Sequence, residues 1–230
     1  MLIGSFDIGK KNFAFYVEEF DEKKLELIEN IDKNSRYNED GTPTSKFENI
    51  LKEVYLNGNV ILFKNVDLTV NCKKTKYLDP NIFHNLTYIL DEYKKIWNVC
   101  EYIIIEQQMS FGKKINTMAL KIGQHCYSYF LFNYGKFKTV IEFPAYFKTQ
   151  TLGACKILKV QKNGKKTYKA IDKPARKKWS IDKALNIISD RNDVETLSLL
   201  TSKKKKDDLA DVLCQCQSFK YLYFVEKMEF

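Results

Sequence analysis

The sequence predicts an α/β fold in which helices cover both faces of a mixed, five-stranded β-sheet. Strand patterns crowd into the first part of the chain, helical and strand patterns then alternate, and two further helical patterns follow. The order βββαβαβαα is typical of a sheet with strands in both directions and helices on its two faces. The chain has 230 residues with no internal repeat and no long linker, so we expect a single domain over residues 1–230.

The first strands are expected to form an antiparallel meander. Short apolar or alternating runs, which are typical of strands, occur at Leu2–Asp7, Asn12–Glu18 and Leu25–Ile31. Gly9 supplies the tight turn that a hairpin between the first two strands needs. The polar stretch Arg36–Ser45 is predicted to be a loop, and Asn59–Val70 to add or extend a strand.

Helical and strand patterns alternate in the rest of the chain. Apolar residues at helical spacing predict helices over Ile82–Trp97, Lys113–Tyr134, Pro174–Ile188 and Asp207–Tyr221. Short apolar runs predict strands at Tyr102–Ile105 and Lys138–Phe143. The first of these runs suits a strand that is covered on both faces.

The composition favours an intracellular protein in a reducing compartment. No window approaches the roughly 18–20 apolar residues of a membrane span, and no apolar run follows a basic N-terminal stretch. The six cysteines form no C-x-x-C pair, and His84 and His125 lie far from paired thiols, so the spacing of a zinc site is absent. We expect reduced cysteines in the core, no membrane partner and no small-molecule cofactor.

Positive charge is concentrated in one segment. The chain carries a formal net charge of +9, and Lys156–Lys178 contains ten basic residues against one acid, Asp172. The rest of the chain is therefore neutral. A concentrated basic patch is the electrostatic footprint of a protein that binds nucleic-acid phosphates. The alternative is a solvated basic loop.

Four carboxylates occupy sequence positions from which they could form one shared site. Asp7 ends the first predicted strand, Glu106 ends the apolar strand, and Asp208 and Asp211 lie one helical turn apart in the last helix. Two carboxylates about 6 Å apart repel by roughly 3 kcal/mol at an effective dielectric constant near 20. Their convergence therefore requires a cation between them, and oxygen ligands favour Mg²⁺ or Mn²⁺. Two such ions can hydrolyse a phosphodiester.

Each carboxylate also has an ordinary interpretation. Asp7 can be a turn residue, Glu106 can be a strand-end charge, and Asp207 and Asp208 can be acids that stabilise a helix N-terminus. Asp211 is harder to explain in this way, because its neighbours are apolar and a charge among them needs a partner. The residues alone therefore indicate a metal-dependent nuclease or phosphotransfer site without deciding between them.

Four short motifs resemble those of one nuclease family and occur in that family's order. They are Ser5-Phe-Asp7-Ile-Gly9-Lys-Lys-Asn12-Phe-Ala14, Ile104-Ile-Glu106-Gln107, Ala119-Leu-Lys-Ile-Gly123-Gln124 and Lys206-Asp-Asp208-Leu-Ala-Asp211. The first resembles the D-x-G-x-K-N-x-A opening of poxvirus and yeast mitochondrial Holliday junction resolvases, and the second their V/I-x-I-E-x-Q motif. The third is similar to the A-L-K-L-G-Q helix of bacterial RuvC, and the fourth to the closing D-D-x-A-D motif.

The chain thus resembles the RuvC-type Holliday junction resolvases, in the poxvirus and mitochondrial branch of the ribonuclease H-like superfamily. The matched segments reach from the N-terminus to about residue 217. Segments 34–80 and 156–173 match no part of the family and are expected to be insertions. The resemblance implies a ribonuclease H-like sheet and an endonuclease that cuts four-way DNA junctions symmetrically, leaving 5′-phosphate and 3′-hydroxyl ends.

The resemblance also implies a catalytic site. The implied catalytic metal ligands are Asp7, Glu106, Asp208 and Asp211. They would hold two Mg²⁺ per site, with Mn²⁺ able to substitute, and Asp207 could trade roles with Asp208. Lys148 corresponds to a catalytic lysine of RuvC that would contact the scissile phosphate, and the alternative is a generic surface lysine.

The partners implied by the resemblance are branched DNA and a second copy of the chain. The helix around Gly123 corresponds to the family's dimer contact, while core packing is the competing explanation for a glycine inside a helix. The basic residues expected at the DNA are Lys10, Lys11, Lys113, Lys114, Lys148, Arg176, Lys177 and Lys178. Phe13 and Phe111 are candidates for stacking at the crossover. For a viral protein, the site of action would be cytoplasmic replication sites of the host cell.

Other functions stay open. A nuclease of the same fold can act on other branched DNA or on RNA–DNA hybrids. Sugar-kinase and actin-like phosphotransferases also begin with D-x-G, but they need a second glycine-rich phosphate loop, and none stands out among nine glycines. A non-catalytic nucleic-acid binder that retains the acids is the third alternative.

Overall fold

The structure is a computed structural model that describes residues 1–73, 79–108, 115–161 and 163–230. The elements of the described residues are β1 (Leu2–Asp7), β2 (Phe13–Glu19), α1 (Glu22–Glu26), α2 (Ser45–Leu56), β3 (Asn59–Val66), α3 (Pro80–Glu92), α4 (Lys94–Val99), β4 (Tyr102–Gln107), α5 (Thr117–Tyr134), β5 (Thr139–Pro144), α6 (Tyr146–Thr151), β6 (Ile157–Val160), β7 (Lys166–Lys169), α7 (Lys173–Asp190), α8 (Val194–Ser202) and α9 (Asp207–Lys220). Short 3₁₀ turns occupy Lys33–Ser35 and Gly135–Phe137, and a π-helical turn, Tyr221–Val225, continues α9.

The chain divides into two compact units. Unit 1 comprises Met1–Phe20 and Asn59–Ala145, and unit 2 comprises Asp21–Gly58 and Tyr146–Phe230. Each unit is therefore built from two separate stretches of chain. The expectation of a single domain stays a prediction. The segment 34–80, expected to be an insertion, includes a strand of the unit 1 sheet, β3.

Unit 1 is built on a five-stranded mixed sheet with the strand order β3-β2-β1-β4-β5. The first three strands pair antiparallel, whereas β4 pairs in parallel with β1 and with β5. A parallel pair needs a crossover connection, and α5 supplies the one between β4 and β5. The mixed sheet with its helices confirms the predicted fold class.

Helices α3, α4 and α5 pack on one face of this sheet. Phe6 and Ile105 point to that face and share a buried cluster with Trp97 and Phe130. The ring of Phe6 lies 5.3 Å from that of Trp97 and 5.2 Å from that of Phe130. Burial of a large apolar side chain contributes about 1.5–3 kcal/mol, so this cluster fixes β1 and β4 firmly against the helices.

Unit 2 is organised around α9, which is buried along most of its length. The fully buried Lys220 donates from Nζ to the carbonyl oxygens of Val54 (2.9 Å) and Asn57 (2.6 Å), at the end of α2. The last carbonyls of a helix have no partner within the helix. The Lys220 ammonium therefore satisfies the end of α2 and ties the two stretches of unit 2 together.

Two predicted elements differ from the structure. The predicted strand Leu25–Ile31 is wrong, because the Asp21 side chain caps a helix there by accepting from the backbone N–H of Lys24. The third antiparallel strand is β3 instead. The predicted helix Ile82–Trp97 is two helices, which meet at Tyr93, where the backbone leaves the helical region.

Two further expectations concern cysteines and membranes. All six cysteines lie in the described residues and none forms a disulfide. Four of them are buried, but Cys155 is exposed and Cys72 is half-buried, so these two are not the core residues that were expected. Within the ranges described, no helix is long and apolar enough to cross a membrane.

Candidate active site

Asp7 and Glu106 lie next to each other at one edge of the unit 1 sheet. The register of the parallel pair β1–β4 sets Phe6 opposite Ile105, and each acid is the next residue along its strand. Neighbouring strands are about 4.8 Å apart. Because side chains alternate along a strand, both acids leave the sheet on the face opposite to Phe6 and Ile105. The register thus sets two of the predicted ligands side by side at the ends of neighbouring strands in unit 1, while their shared role at a metal site stays a prediction.

The turn after Asp7 requires a glycine. A Cβ atom on Gly9 would lie 2.7 Å from the backbone oxygen of Asn12, which is closer than real Cβ contacts come. The turn is held further by a hydrogen bond from the Leu68 N–H to the Lys10 carbonyl oxygen, at 2.8 Å. Gly9 thus lets the chain reverse tightly directly after the carboxylate.

Gln108 is a neighbour of Glu106 that the sequence reasoning missed. Its side-chain nitrogen donates to a carboxylate oxygen of Glu106 at 3.2 Å and to the Glu106 carbonyl oxygen at 3.3 Å. These hydrogen bonds restrict the orientation of the carboxylate. The family motif V/I-x-I-E-x-Q has its glutamine two residues after the acid, which is the position of Gln108, but the residues matched to the motif ended at Gln107.

Three further acids stand at the start of α9 in unit 2. Asp207 and Asp208 lie in its first turn, and Asp211 follows one turn later. A negative charge in the first turn of a helix is stabilised by the helix dipole. The side chains of Asp207, Asp208 and Asp211 are only 12%, 16% and 27% exposed, so solvent alone does not screen their charges.

Each of these acids is paired with its own lysine. Lys177 donates a hydrogen bond to Asp207, Lys205 lies 2.6 Å from Asp208, and Lys148 lies 3.5 Å from Asp211. The family resemblance singles out Lys148, and the structure places it within unit 2 beside a predicted ligand. Lys148 is only 5% exposed, so it is not a generic surface lysine.

The first two acids of α9 differ in pKa. Burial opposes ionisation of Asp207, but the hydrogen bond and charge of Lys177, with the charge of Lys205, outweigh it and hold the pKa below its usual range. Burial dominates at Asp208 and raises the pKa of that carboxyl, against the opposing effect of Lys205. Asp208 is thus the acid of this pair whose charge is less well compensated.

The donor chemistry suits a hard divalent cation. Each unit offers carboxylate oxygens, which Mg²⁺ and Mn²⁺ prefer. Within each unit taken separately, the described residues contain no group of three or more histidine, cysteine, aspartate or glutamate side chains that could hold a metal ion. Metal binding by Asp7 and Glu106 together with Asp208 and Asp211 stays a prediction.

The residues expected at DNA have different surroundings. Lys10 and Lys11 lie in the turn after β1, and Arg176 and Lys178 are exposed on α7. Lys177 of the same helix is engaged with Asp207. Lys113, Lys114 and Phe111 lie outside the described residues.

Phe13 does not fit the stacking role suggested for it. It is completely buried and belongs to the hydrophobic core of unit 1, where its ring packs 6.0 Å from that of Phe6. A side chain that holds the sheet to its helices is unavailable for stacking on a base. The suggestion for Phe13 is wrong because the apolar pattern of β2 serves packing.

Gly123 packs inside unit 1. A Cβ atom at this position would meet Gln108 at 3.6 Å and Ile8 at 3.7 Å, which are ordinary contact distances. The glycine therefore faces the loops that follow β1 and β4. Because an added Cβ atom would fit, packing within unit 1 does not require a glycine at this position. The role of Gly123 in a dimer contact stays a prediction.

Comparison with solved structures defines the fold. The fowlpox virus Holliday junction resolvase is 18% identical to this chain with a TM-score of 0.51, covering 96% of this chain and 98% of that one. The fowlpox virus resolvase in its complex with Holliday junction DNA is 20% identical, with a TM-score of 0.52 and complete coverage of both chains. Thermus thermophilus RuvC is 9% identical, with a TM-score of 0.50 over 96% of each chain. The chain has the RuvC-type resolvase fold, as the motifs predict.

Two viral proteins are similar in sequence over nearly the whole chain. Protein 170L of Invertebrate iridescent virus 6 is 36% identical over 98% of this chain and 91% of its own length. Protein 97L of Invertebrate iridescent virus 3 is 30% identical over 95% of this chain and 98% of its own length. The chain belongs to the family of these invertebrate iridescent virus proteins. No protein-family model matches the sequence.

Proposed function

We propose that this protein is a Holliday junction resolvase, a metal-dependent endonuclease that hydrolyses DNA symmetrically at four-way junctions. The observation that carries the proposal is the register that sets Asp7 beside Glu106 at the end of two parallel strands. The RuvC-type fold supports it, as does the order of the four motifs along the chain. Among proteins of this fold, the fowlpox virus resolvase has been solved with Holliday junction DNA as its substrate.

In this proposal Asp7, Glu106, Asp208 and Asp211 hold two Mg²⁺ ions. Bound divalent ions would activate a water molecule and stabilise the leaving 3′ oxygen in phosphodiester hydrolysis. The hydrogen bonds from Gln108 keep the carboxylate of Glu106 oriented for this task. The products are 5′-phosphate and 3′-hydroxyl ends.

In this proposal the ammonium group of Lys148 contacts the reacting phosphate. Its ammonium group lies 3.5 Å from Asp211 and is almost fully buried. In a site with little water, a fixed positive charge stabilises the extra negative charge of a pentavalent phosphate far more than it would in solution. Asp211 keeps that ammonium in place.

The proposed partners are branched DNA and a second copy of the chain. Two symmetric cuts across a junction need two active sites, and a twofold dimer supplies them. The basic residues assigned to DNA bind phosphates, with little reading of base sequence. A cytoplasmic replication site in the infected cell is the proposed place of action.

The decisive experiment is cleavage of a synthetic four-way junction by the purified full chain. We expect paired, symmetric cuts with Mg²⁺ or Mn²⁺ and none with a chelator, while junction binding persists in both conditions. Asp7→Asn should abolish cleavage and retain binding, because it removes one ligand charge without changing the side chain's shape. The matched control is Asp182→Asn, an exposed acid on α7, which should cut normally.

Two outcomes would contradict the proposal. Full cleavage activity in Asp7→Asn would contradict a metal site built on Asp7 and Glu106. Equal cutting of an RNA–DNA hybrid and of a junction would instead favour a more general nuclease of the same fold.

A further inference from the structure

Strands β6 and β7 form a two-stranded ribbon in unit 2. They pair antiparallel, with Ile157 opposite Lys169 and Val160 opposite Lys166. Every residue of β6 is exposed, and β7 has a single half-buried residue, Thr167. The ribbon therefore presents both of its faces to solvent, whereas most strands bury at least one face.

The two faces of the ribbon differ in chemistry. Side chains alternate along a strand, so Lys159 and Lys169 share one face with Thr167 and the apolar Ile157. Lys165, the residue just before β7, continues the same face. Its carbonyl oxygen accepts a hydrogen bond from the N–H of Gln161 at 2.9 Å. The opposite face carries the apolar side chains of Leu158, Val160 and Tyr168, with one lysine.

The charge of the ribbon has one sign. Residues 156–169 contain six lysines and no acid. Among the described residues, Lys159, Lys165 and Lys169 form no ion pair with a carboxylate. These ammonium groups are therefore available to an external anion. By contrast, Lys148, Lys177 and Lys205 of the same unit are each engaged with an aspartate.

The base of the ribbon is fixed to the rest of unit 2. The Lys156 N–H donates to the Asp40 carbonyl oxygen at 2.6 Å, and the Tyr168 hydroxyl donates to Glu39 at 3.2 Å. The stem of Lys156 also packs on Gly41, where an added Cβ atom would approach it to 3.0 Å. An isolated two-stranded hairpin is only marginally stable in water, so these contacts orient the ribbon.

We infer that the β6–β7 ribbon is a second DNA-contacting element, whose lysine face binds the phosphate backbone of a duplex arm of the junction. A two-stranded ribbon is narrow enough to enter the major groove of DNA. Lysines on one face can reach the phosphates that line a groove, and such contacts position a protein without reading sequence. The inference rests on the proposed function, because it makes the duplex arm of a junction the ribbon's partner.

Edge protection is the main alternative explanation for the lysines. Lysine on an exposed strand keeps it from pairing with other chains. That explanation predicts no change in DNA affinity when the lysines on one face are neutralised.

The test is a variant with Lys159→Gln, Lys165→Gln and Lys169→Gln, studied in the full-length protein. Its affinity for a labelled four-way junction and for a labelled linear duplex is measured by fluorescence anisotropy, in chelator, over a series of salt concentrations. Each lost phosphate contact lowers the log–log salt slope by about 0.9, so we expect the slope to fall by roughly 3 units on both DNAs. The cleavage rate at saturating junction should be unchanged.

Two matched variants complete the experiment. Lys23→Gln, Lys24→Gln and Lys46→Gln remove the same charge from exposed positions of α1 and α2 in the same unit and should leave the slope nearly unchanged. Replacement of the three ribbon lysines by arginine keeps the charge and should retain binding. Circular dichroism verifies that every variant is folded.

The outcomes separate the ribbon from the catalytic proposal. An unchanged slope in the folded glutamine variant overturns the ribbon's role, even if the junction is cleaved. An equal loss in the α1 and α2 control also overturns it, since net charge alone would then explain the effect. A selective loss of slope supports the ribbon even if the wild-type protein fails to cut junctions, which would refute only the catalytic proposal.

Discussion

At the residue scale, the pairing of Lys148 with Asp211 is the most informative contact of the candidate site. A lysine that is 5% exposed is costly to bury unless its charge is compensated. Asp211 provides that compensation, and α6 and α9 bring the two residues together. Their sequence positions are far apart, and only the family resemblance pointed to both.

The first prediction concerns Lys148. Lys148→Met keeps the length of the side chain but removes its charge, and we expect cleavage to slow by about 10²–10³-fold with junction affinity nearly unchanged. Single-turnover cleavage and fluorescence anisotropy measure the two effects separately.

A comparable lysine outside the site provides the control. Lys183 is also largely buried, at 14% exposure, and lies 3.3 Å from the carboxylate of Glu48. Lys183→Met should alter stability but not the cleavage rate at saturating junction. If both variants slow cleavage equally, Lys148 acts through the fold and has no special role at the phosphate.

At the scale of elements, the sequence predicts strands best where they are short and apolar. The run Tyr102–Ile105 lies within β4, and its register with β1 brings Asp7 next to Glu106. By contrast, Leu25 is buried whereas Leu27 is 83% exposed, so the apolar residues predicted as a strand serve a capped helix instead. Alternation over a few residues cannot distinguish these cases without the capping residue Asp21.

The sequence of helix α2 has a helical pattern, although no helix was predicted there. Its buried residues Phe47, Ile50, Leu51, Val54 and Tyr55 follow helical spacing. Helices α6 and α8 are too short to give a strong periodic pattern. The β6–β7 ribbon could not be predicted from periodicity, since neither of its faces is buried.

Helix α5 gives the second prediction. Alanine is favoured over glycine by about 1 kcal/mol in a helix interior, and the space around Gly123 accepts a Cβ atom at ordinary contact distances. Gly123→Ala should therefore raise the free energy of unfolding by about 0.5–1 kcal/mol, measured by urea denaturation. Its sedimentation behaviour should match that of the wild type. A shift toward monomer in Gly123→Ala would instead support the predicted role of Gly123 in a dimer contact.

At the scale of the whole molecule, each of the two units combines stretches of chain that are distant in sequence. Residues 21–58 leave unit 1 between two neighbouring strands of its sheet and pack with residues 146–230 in unit 2. Long-range pairing of this kind leaves no local pattern, so composition and periodicity do not show how the chain divides between the two units. The Arg36 side chain, which is 6% exposed and pairs with Glu226 at 2.8 Å, is part of this connection.

The third prediction tests the link between the two stretches of unit 2. Lys220→Met leaves the carbonyl oxygens of Val54 and Asn57 without their buried donor. Unsatisfied buried polar groups are destabilising, so we expect the free energy of unfolding to fall by about 3 kcal/mol. Urea denaturation followed by circular dichroism measures this change.

A lysine on α2 serves as the comparison. Lys52 is 51% exposed and lies 3.7 Å from Asp190, so Lys52→Met should change stability by less than about 1 kcal/mol. Similar losses in the two variants would mean that burial of the Lys220 ammonium contributes nothing specific.

The discontinuity of unit 2 also has a consequence for synthesis on the ribosome. The apolar side of α2 is translated long before α9, against which unit 2 is organised. About 150 residues separate the two helices, so at about 5–20 residues per second the wait lasts roughly 8–30 seconds. During that interval the apolar side of α2 has no α9 to cover it, and transiently exposed apolar surface of this kind is prone to aggregation.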